Sequence, residues 1–262
     1  MKKDSNAIHN TQRKAAKYYL ILVILIIFSL TFIYSAYKLF KIYKEYNAAV
    51  EEYENLHEYT KERTVVDDQA NDNELKIDID FEGLKYINSD IVGWIYFENV
   101  NVNYPIVKGI DNGYYLNHTF KKEQNISGSI FMDYRNDSEF KDLNTIIYGH
   151  NMKNGSMFGS LRKLLKEEFY RENSYFWIIT QEGKYKYDIF SVYIDESTSE
   201  SYNIKFENIE EYSKHLNMIK DKSIYDTGIN LTENDLVVTL STCTSTEENN
   251  RFIVHGRLRR FE

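Results

Sequence analysis

The sequence predicts a mostly-β domain, a barrel or a sandwich with inserted helices, behind one N-terminal membrane-spanning helix. Three observations carry that reading. Residues 18–37 run for 20 positions without a charge. From residue 92 onward, short runs rich in β-branched and aromatic residues recur between turn residues. Few helical stretches separate them, which favours an antiparallel all-β architecture over repeated βαβ units.

Twenty residues at helical rise span about 30 Å, the thickness of a bilayer core. A cleaved signal peptide is the competing reading. Its apolar region is normally about 7–15 residues long, with small residues at the cleavage site, and Ser35-Ala36 is a poor version of that site. The segment is apolar all round, unlike a core helix with one greasy face. Lys2, Lys3, Arg13, Lys14 and Lys17 precede it against one acid, whereas Lys38, Lys41 and Lys44 behind it are soon offset by Glu45, Glu51 and Glu52. This bias predicts a cytoplasmic N-terminus (residues 1–17) and an external remainder.

Beyond the span, Leu39, Tyr43, Tyr46, Val50, Tyr53 and His57 recur at steps of four and three. They form one stripe of a helix expected to end near Arg63. Packing against the chain's own domain is favoured over a short dimeric coiled coil. Residues 64–80 are polar, acidic and aperiodic, so residues 38–80 read as a helical tether and linker.

A compact domain is expected from about residue 79. Residues 81–88 suggest a short helix, and strands are expected at 92–97, 100–107, 128–133 and 144–149. Residues 155–173 carry Met157, Phe158, Leu161, Leu164, Leu165 and Phe169 on one helical face and predict a helix. Strands at 175–180 and 185–194 flank Gln181-Glu-Gly-Lys184, a hairpin turn. Phe206, Ile209, Tyr212, Leu216 and Ile219 mark a further helix, and the last strands are expected at 236–243 and 251–258.

The net charge is −8; residues 1–40 carry +5, leaving −13 on the rest. Such acidity argues against a nucleic-acid surface, which needs a basic footprint. Roughly 200 residues suit one domain with a sizeable core. The single cysteine excludes an internal disulfide. The 23 tyrosines read as compositional bias plus strand content. No histidine pair has metal-ligand spacing and no glycine-rich phosphate loop is present.

Cys243 is therefore either a packed residue or a nucleophile. Strand alternation puts Leu236, Val238 and Leu240 on one face and Val237, Thr239, Ser241 and Cys243 on the other, so the thiol is expected to point away from the greasier face. Residues 244–250 are polar and read as a loop. If the flanking strands pair across it, Arg251 lies opposite Cys243, where its fixed charge and rigid donors suit a thiolate, an oxyanion or a substrate backbone. The plainer reading of Arg251 is an exposed strand-end side chain.

A cysteine nucleophile needs a proton acceptor and donor, most often histidine. His9 lies on the wrong side of the membrane, His57 belongs to the tether and His215 to a surface-patterned helix. His255 lies about 13 Å along its strand from the mouth and reads as a wall residue. His150 follows Gly149 at a strand end and ranks first; His118, in the loop Tyr114-Tyr-Leu-Asn-His118, ranks second.

These residues resemble those of the sortases, membrane-anchored cysteine transpeptidases of Gram-positive bacteria, and class B most closely. The matching stretches are Thr239-Leu-Ser-Thr-Cys243 with Arg251 downstream, Tyr148-Gly-His150-Asn-Met152, Val92-Gly-Trp-Ile95 and Tyr104-Pro-Ile-Val107. Tyr114-Tyr-Leu-Asn117, Gly128-Ser-Ile-Phe-Met-Asp-Tyr-Arg135 and Gly155-Ser-Met-Phe-Gly159 match as well. The resemblance covers about residue 80 to the end. It implies an eight-stranded sortase β-barrel over residues 81–262, with a helix inserted at 206–222. It also implies Cys243 as nucleophile, His150 as acid/base and Arg251 as oxyanion or substrate stabiliser, with no metal or organic cofactor. Ser241 and the backbone N–H of Thr244 are expected to help hold the substrate carbonyl, and Leu116 and Asn117 to line the groove.

The implied reaction cuts a C-terminal sorting signal after threonine, holds the acyl group as a thioester and passes it to a cell-wall or pilin amine. The implied partners are sorting-signal-bearing surface proteins and that amine acceptor. A hydrolytic cysteine peptidase with the same three residues is the nearest alternative, and a wall-binding module with an incidental cysteine is the non-enzyme one. An L,D-transpeptidase would need a Ser-x-Gly-Cys pattern, and Ser241-Thr-Cys243 lacks the glycine.

Overall fold

The computed structural model describes residues 2–62, 75–243 and 249–259. The chain divides into two compact units, residues 1–48 and 49–262. One helix, α1 (Lys2–Leu56), runs through the first unit and into the second. Residues 17–44 are exposed throughout, and this helix is long and apolar enough to cross a membrane.

The last two turns of α1 pack on their own unit, burying Ala49, Glu52, Tyr53 and Leu56. The buried face is thus rotated slightly from the expected stripe, with Val50 and His57 only half-buried. The helix also ends earlier than expected near Arg63. A 3-10 turn (His57–Tyr59) follows it, and Thr60 turns the chain into extended backbone, its hydroxyl donating to the His57 carbonyl at 2.7 Å. Strand β1 (Thr60–Glu62) pairs antiparallel with β2 (Ile77–Ile79), so the stretch expected to be linker contains a strand. Helix α2 (Phe81–Ile87) is capped by the Asp80 side chain, which accepts from Gly83 N, as an N-cap carboxylate should.

The barrel consists of β3 (Ile91–Phe97), β4 (Val102–Lys108), β5 (Ile130–Met132), β6 (Asn144–Tyr148), β7 (Tyr175–Ile179), β8 (Lys184–Glu196), β9 (Val237–Cys243) and β10 (Asn250–Leu258). It closes in the order β10-β8-β7-β3-β4-β5-β6-β9. Closure, rather than a sandwich, leaves no barrel edge exposed. Two pairings are parallel, β4 with β5 and β6 with β9; the others are antiparallel. The hairpin expected at Gln181–Lys184 is present, closed by Thr180 N donating to Gly183 O at 2.8 Å. The core of the domain includes Trp94, Ile95, Ile106, Phe176 and Leu240, all fully buried.

The helix expected over 155–173 is instead a 3-10 segment (Gly159–Leu165) and a short α3 (Glu167–Glu172), split by extended Lys166. Met157 takes a left-handed φ of 53°, which no α-helix accommodates. Apolar residues three apart (Phe158, Leu161, Leu164) bury equally well in 3-10 geometry, where positions i and i+3 eclipse. Spacing alone did not separate the two.

Between β8 and β9 the chain inserts α4 (Ile209–Asp221), capped by Asn208, whose side chain accepts from Glu211 N. Its Tyr212, Leu216 and Ile219 pack with Phe190 and Val237. Both faces of β9 are therefore covered, and every residue from Val237 to Thr242 is buried. Burial therefore does not distinguish the two faces of that strand, and the direction of the Cys243 thiol lies outside the described residues.

His215 corrects another expectation. It is buried on α4 beside Phe206 (ring centroids 4.8 Å) instead of facing solvent, and neither ring nitrogen bonds any described residue. Burial first, and then Lys222, push its pKa down to about 4 from the ordinary 6.5. The native state keeps the ring neutral while the unfolded chain takes up a proton near 6.5. Its contribution to stability is therefore complete above that pH and is lost as pH falls toward about 4, amounting to about 3 kcal/mol. His215→Phe should flatten the fall of the thermal midpoint across that window. An unchanged slope would refute the assignment.

Candidate active site

Three neighbouring strands bring the sequence-predicted site together. On the parallel pair β6/β9, Tyr148 lies opposite Ser241, and Gly149 N donates to Ser241 O at 3.1 Å. β6 ends at this pair, with His150 two residues beyond it, and β9 ends two residues beyond it, at Cys243. On the other side of β9, β10 places Arg251 opposite Cys243, the register that antiparallel pairing predicts. The Cys243 thiol and Thr244 lie outside the described residues, so the cysteine is located here by its backbone alone.

A cleft of about 290 Å³ opens at this end of the barrel. His150 and Arg251 both line it, with Ser241 and Thr242 from β9. Gly149 is required beside His150, because a Cβ there would lie 2.6 Å from Ile130 Cδ1 and 2.7 Å from the Phe158 ring. His150 is half-buried, and its Nδ1 is buried without a bond to any described residue. Burial pushes its pKa below the ordinary 6.5, so the imidazole is neutral at pH 7 and ready to accept a proton. Arg251 is half-buried, and its Nη1 donates to Asn250 O at 3.1 Å.

The remaining expected residues divide. Leu116 is 40% exposed and lines the cleft. Asn117 is exposed and absent from the lining; its carbonyl accepts from Asn125 N within its own loop. Asn112 reaches the cleft from the same loop instead. Ser241 faces the cleft while sharing a hydrogen bond of 2.8 Å with the Tyr202 hydroxyl, so it is both a lining residue and a satisfied strand hydroxyl. His118 is outside the lining, stacked on Tyr114 at 4.2 Å. His255 is a wall residue, fully buried between the Tyr193 hydroxyl and Thr239 Oγ1, each at 2.8 Å.

Sequence reasoning missed the support around His150. Tyr148 and Tyr202 stack at 6.3 Å along the cleft. The Tyr148 hydroxyl donates to the buried Asp133 carboxylate at 3.0 Å, which also accepts from Arg135 and Asn112. Burial works against the Asp133 charge, but the bonds from Arg135, Asn112 and Tyr148 outweigh it and hold its carboxyl below the usual range. Tyr148, Asp133 and Arg135 lie within motifs that were conspicuous in the sequence, whereas nothing there marked Tyr202. Among the described residues, no cluster of three or more His, Cys, Asp or Glu is arranged to hold a metal.

Known proteins share this architecture. Residues 95–259 match the sortase domain family. The chain is 40% identical over 179 residues to a sortase B of Listeria monocytogenes, covering 67% of this chain and 72% of the relative. It is 37% identical over 180 residues to a sortase B of Staphylococcus aureus, covering 68% and 74%. Sortase B of Bacillus anthracis in complex with AAEK1 superposes with a TM-score of 0.72 at 37% identity, over 84% of this chain and all of that one. The Staphylococcus aureus sortase B–substrate complex gives 0.66 at 36%, over 70% and 85%. With its barrel, its cysteine-bearing strand and these relatives in agreement, the chain belongs to the sortase family of cysteine transpeptidases, in the sortase B class.

Proposed function

We propose that Cys243, His150 and Arg251 carry out the transpeptidation, cleaving a C-terminal sorting signal after its threonine. The observation that supports this is the meeting of His150 and Arg251 in one cleft, at the end of the strand that terminates in Cys243. Neutral His150 takes the thiol proton, and the sulfur attacks the threonine carbonyl. As the tetrahedral adduct collapses, a C–S bond has formed and the C–N bond breaks, and His150 returns the proton to the departing amine. An acceptor amine then attacks the thioester, the C–S bond breaks and the thiol is regenerated. The Arg251 guanidinium faces the oxygen that gains charge in both steps. Ser241 and the Thr244 backbone N–H assist at that oxygen, and Leu116 forms an apolar wall. Asn117 is assigned to the outer rim.

Sortase B of Staphylococcus aureus has been solved with a substrate. By that likeness, surface proteins bearing sorting signals of NPxT or (S/P)PxTG type are the substrates here, and a cell-wall precursor or pilin amine is the acceptor. Residues 18–37 anchor the enzyme in the cell membrane, with residues 1–17 cytoplasmic and the catalytic domain 81–262 outside. The test is to incubate the enzyme with signal peptides of both types, with and without amine, and weigh the products. A mass equal to the N-terminal fragment joined to the amine is expected. Hydrolysis alone at saturating amine would make the protein a peptidase.

A further inference from the structure

The connection between β4 and β5, residues 109–129, carries Asn112 and Leu116 into the cleft. It is long and has no helix or strand of its own, so its shape depends on bonds made to it. Some come from within, such as Ser129 N to Tyr115 O at 2.9 Å. Others come from Asn88, whose Nδ2 donates to Phe120 O and to the Tyr115 hydroxyl, both at 2.8 Å. Two come from the end of α1. The Tyr53 hydroxyl donates to Gly128 O at 2.7 Å, and Glu52 Oε1 accepts from Lys121 N at 2.9 Å. Both side chains are buried.

Gly128 links the first of these bonds to the cleft. Its φ is +55°, and a Cβ there would lie 2.6 Å from Leu116 O and 2.7 Å from Tyr115 O. The Gly128 backbone is thus in direct contact with the Leu116 backbone, whose side chain is cleft wall. From these contacts we infer that Tyr53 and Glu52 are positioning residues for substrate binding: the final turns of α1 clamp the 109–129 loop so that Leu116 is held at the height of His150 and Arg251. This rests on the reading of the cleft as the sorting-signal groove.

A positioning role differs from a purely structural one in what it moves. The full-length enzyme in detergent would be assayed with a sorting-signal peptide. Tyr53→Phe and Glu52→Ala are each expected to raise KM about tenfold, the scale of one buried hydrogen bond, with kcat changed less than twofold. Glu52→Gln keeps an acceptor oxygen for Lys121 N and is expected to restore KM. The rate at which iodoacetamide alkylates Cys243 should stay unchanged, because that small reagent does not use the groove. In a Leu116→Ala background, Tyr53→Phe should have no further effect on KM, since contacting residues are coupled and not additive. An unchanged KM in both Tyr53→Phe and Glu52→Ala, or full additivity with Leu116→Ala, overturns the inference. Absence of peptide cleavage by the wild type would instead overturn the functional reading on which it rests.

Discussion

Replacing Cys243 by alanine is expected to bring turnover of a sorting-signal peptide to background and to abolish the covalent peptide adduct seen by intact-protein mass spectrometry. No other thiol exists in the chain to take over, and the thioester cannot form without one. The fold should persist, because the β9 ladder is made of backbone bonds from Val237 onward that do not use the side chain. His150→Ala should cost about 10²–10⁴ in kcat, the range for a lost acid/base. The double variant should be no worse than Cys243→Ala, since the two act as a unit. Retained adduct formation in Cys243→Ala would remove the nucleophile assignment, whereas retained kcat in His150→Ala would move the proton transfer to another group.

Arg251→Ala is expected to reduce kcat about 10²–10³-fold, as the loss of an oxyanion donor does. The thermal midpoint should hardly move. Arg251 lies near the start of β10, is half-buried, and donates to the neighbouring Asn250 carbonyl. Arg251→Lys should recover only part of the loss, because an ammonium supplies charge without the planar fork of donors. If the lysine variant is fully active, the role is charge alone. If alanine is fully active, Arg251 is a strand-end residue that only happens to line the cleft.

Legibility in the sequence followed physical locality. The barrel strands were readable because short β-branched runs and the Gln181–Lys184 turn are local signals. His150 and Arg251 were readable because each sits at a strand end, and the register confirms that Arg251 stands opposite Cys243. What failed depended on contacts from distant segments. His215 looked like a surface residue until Phe206 and Tyr212 closed over it. The faces of β9 looked unequal until α4 covered the second one. Asn117 was expected in the groove and Asn112 was not singled out, because their loop is bonded by Tyr53, Glu52 and Asn88, all remote in sequence. The split at Lys166 was hidden because an i, i+3 apolar pattern fits two helix types.

The parallel pairing of β6 with β9 has a temporal consequence. Its partners are far apart in the chain, and β9 also needs β10 to complete the ring. Such long-range pairings carry the largest loop-closure cost and form late in folding. Until that pairing forms, the His150 imidazole is held apart from the neighbouring strands that carry Cys243 and Arg251. The cleft therefore assembles only with ring closure, and a molecule whose barrel is still open lacks it.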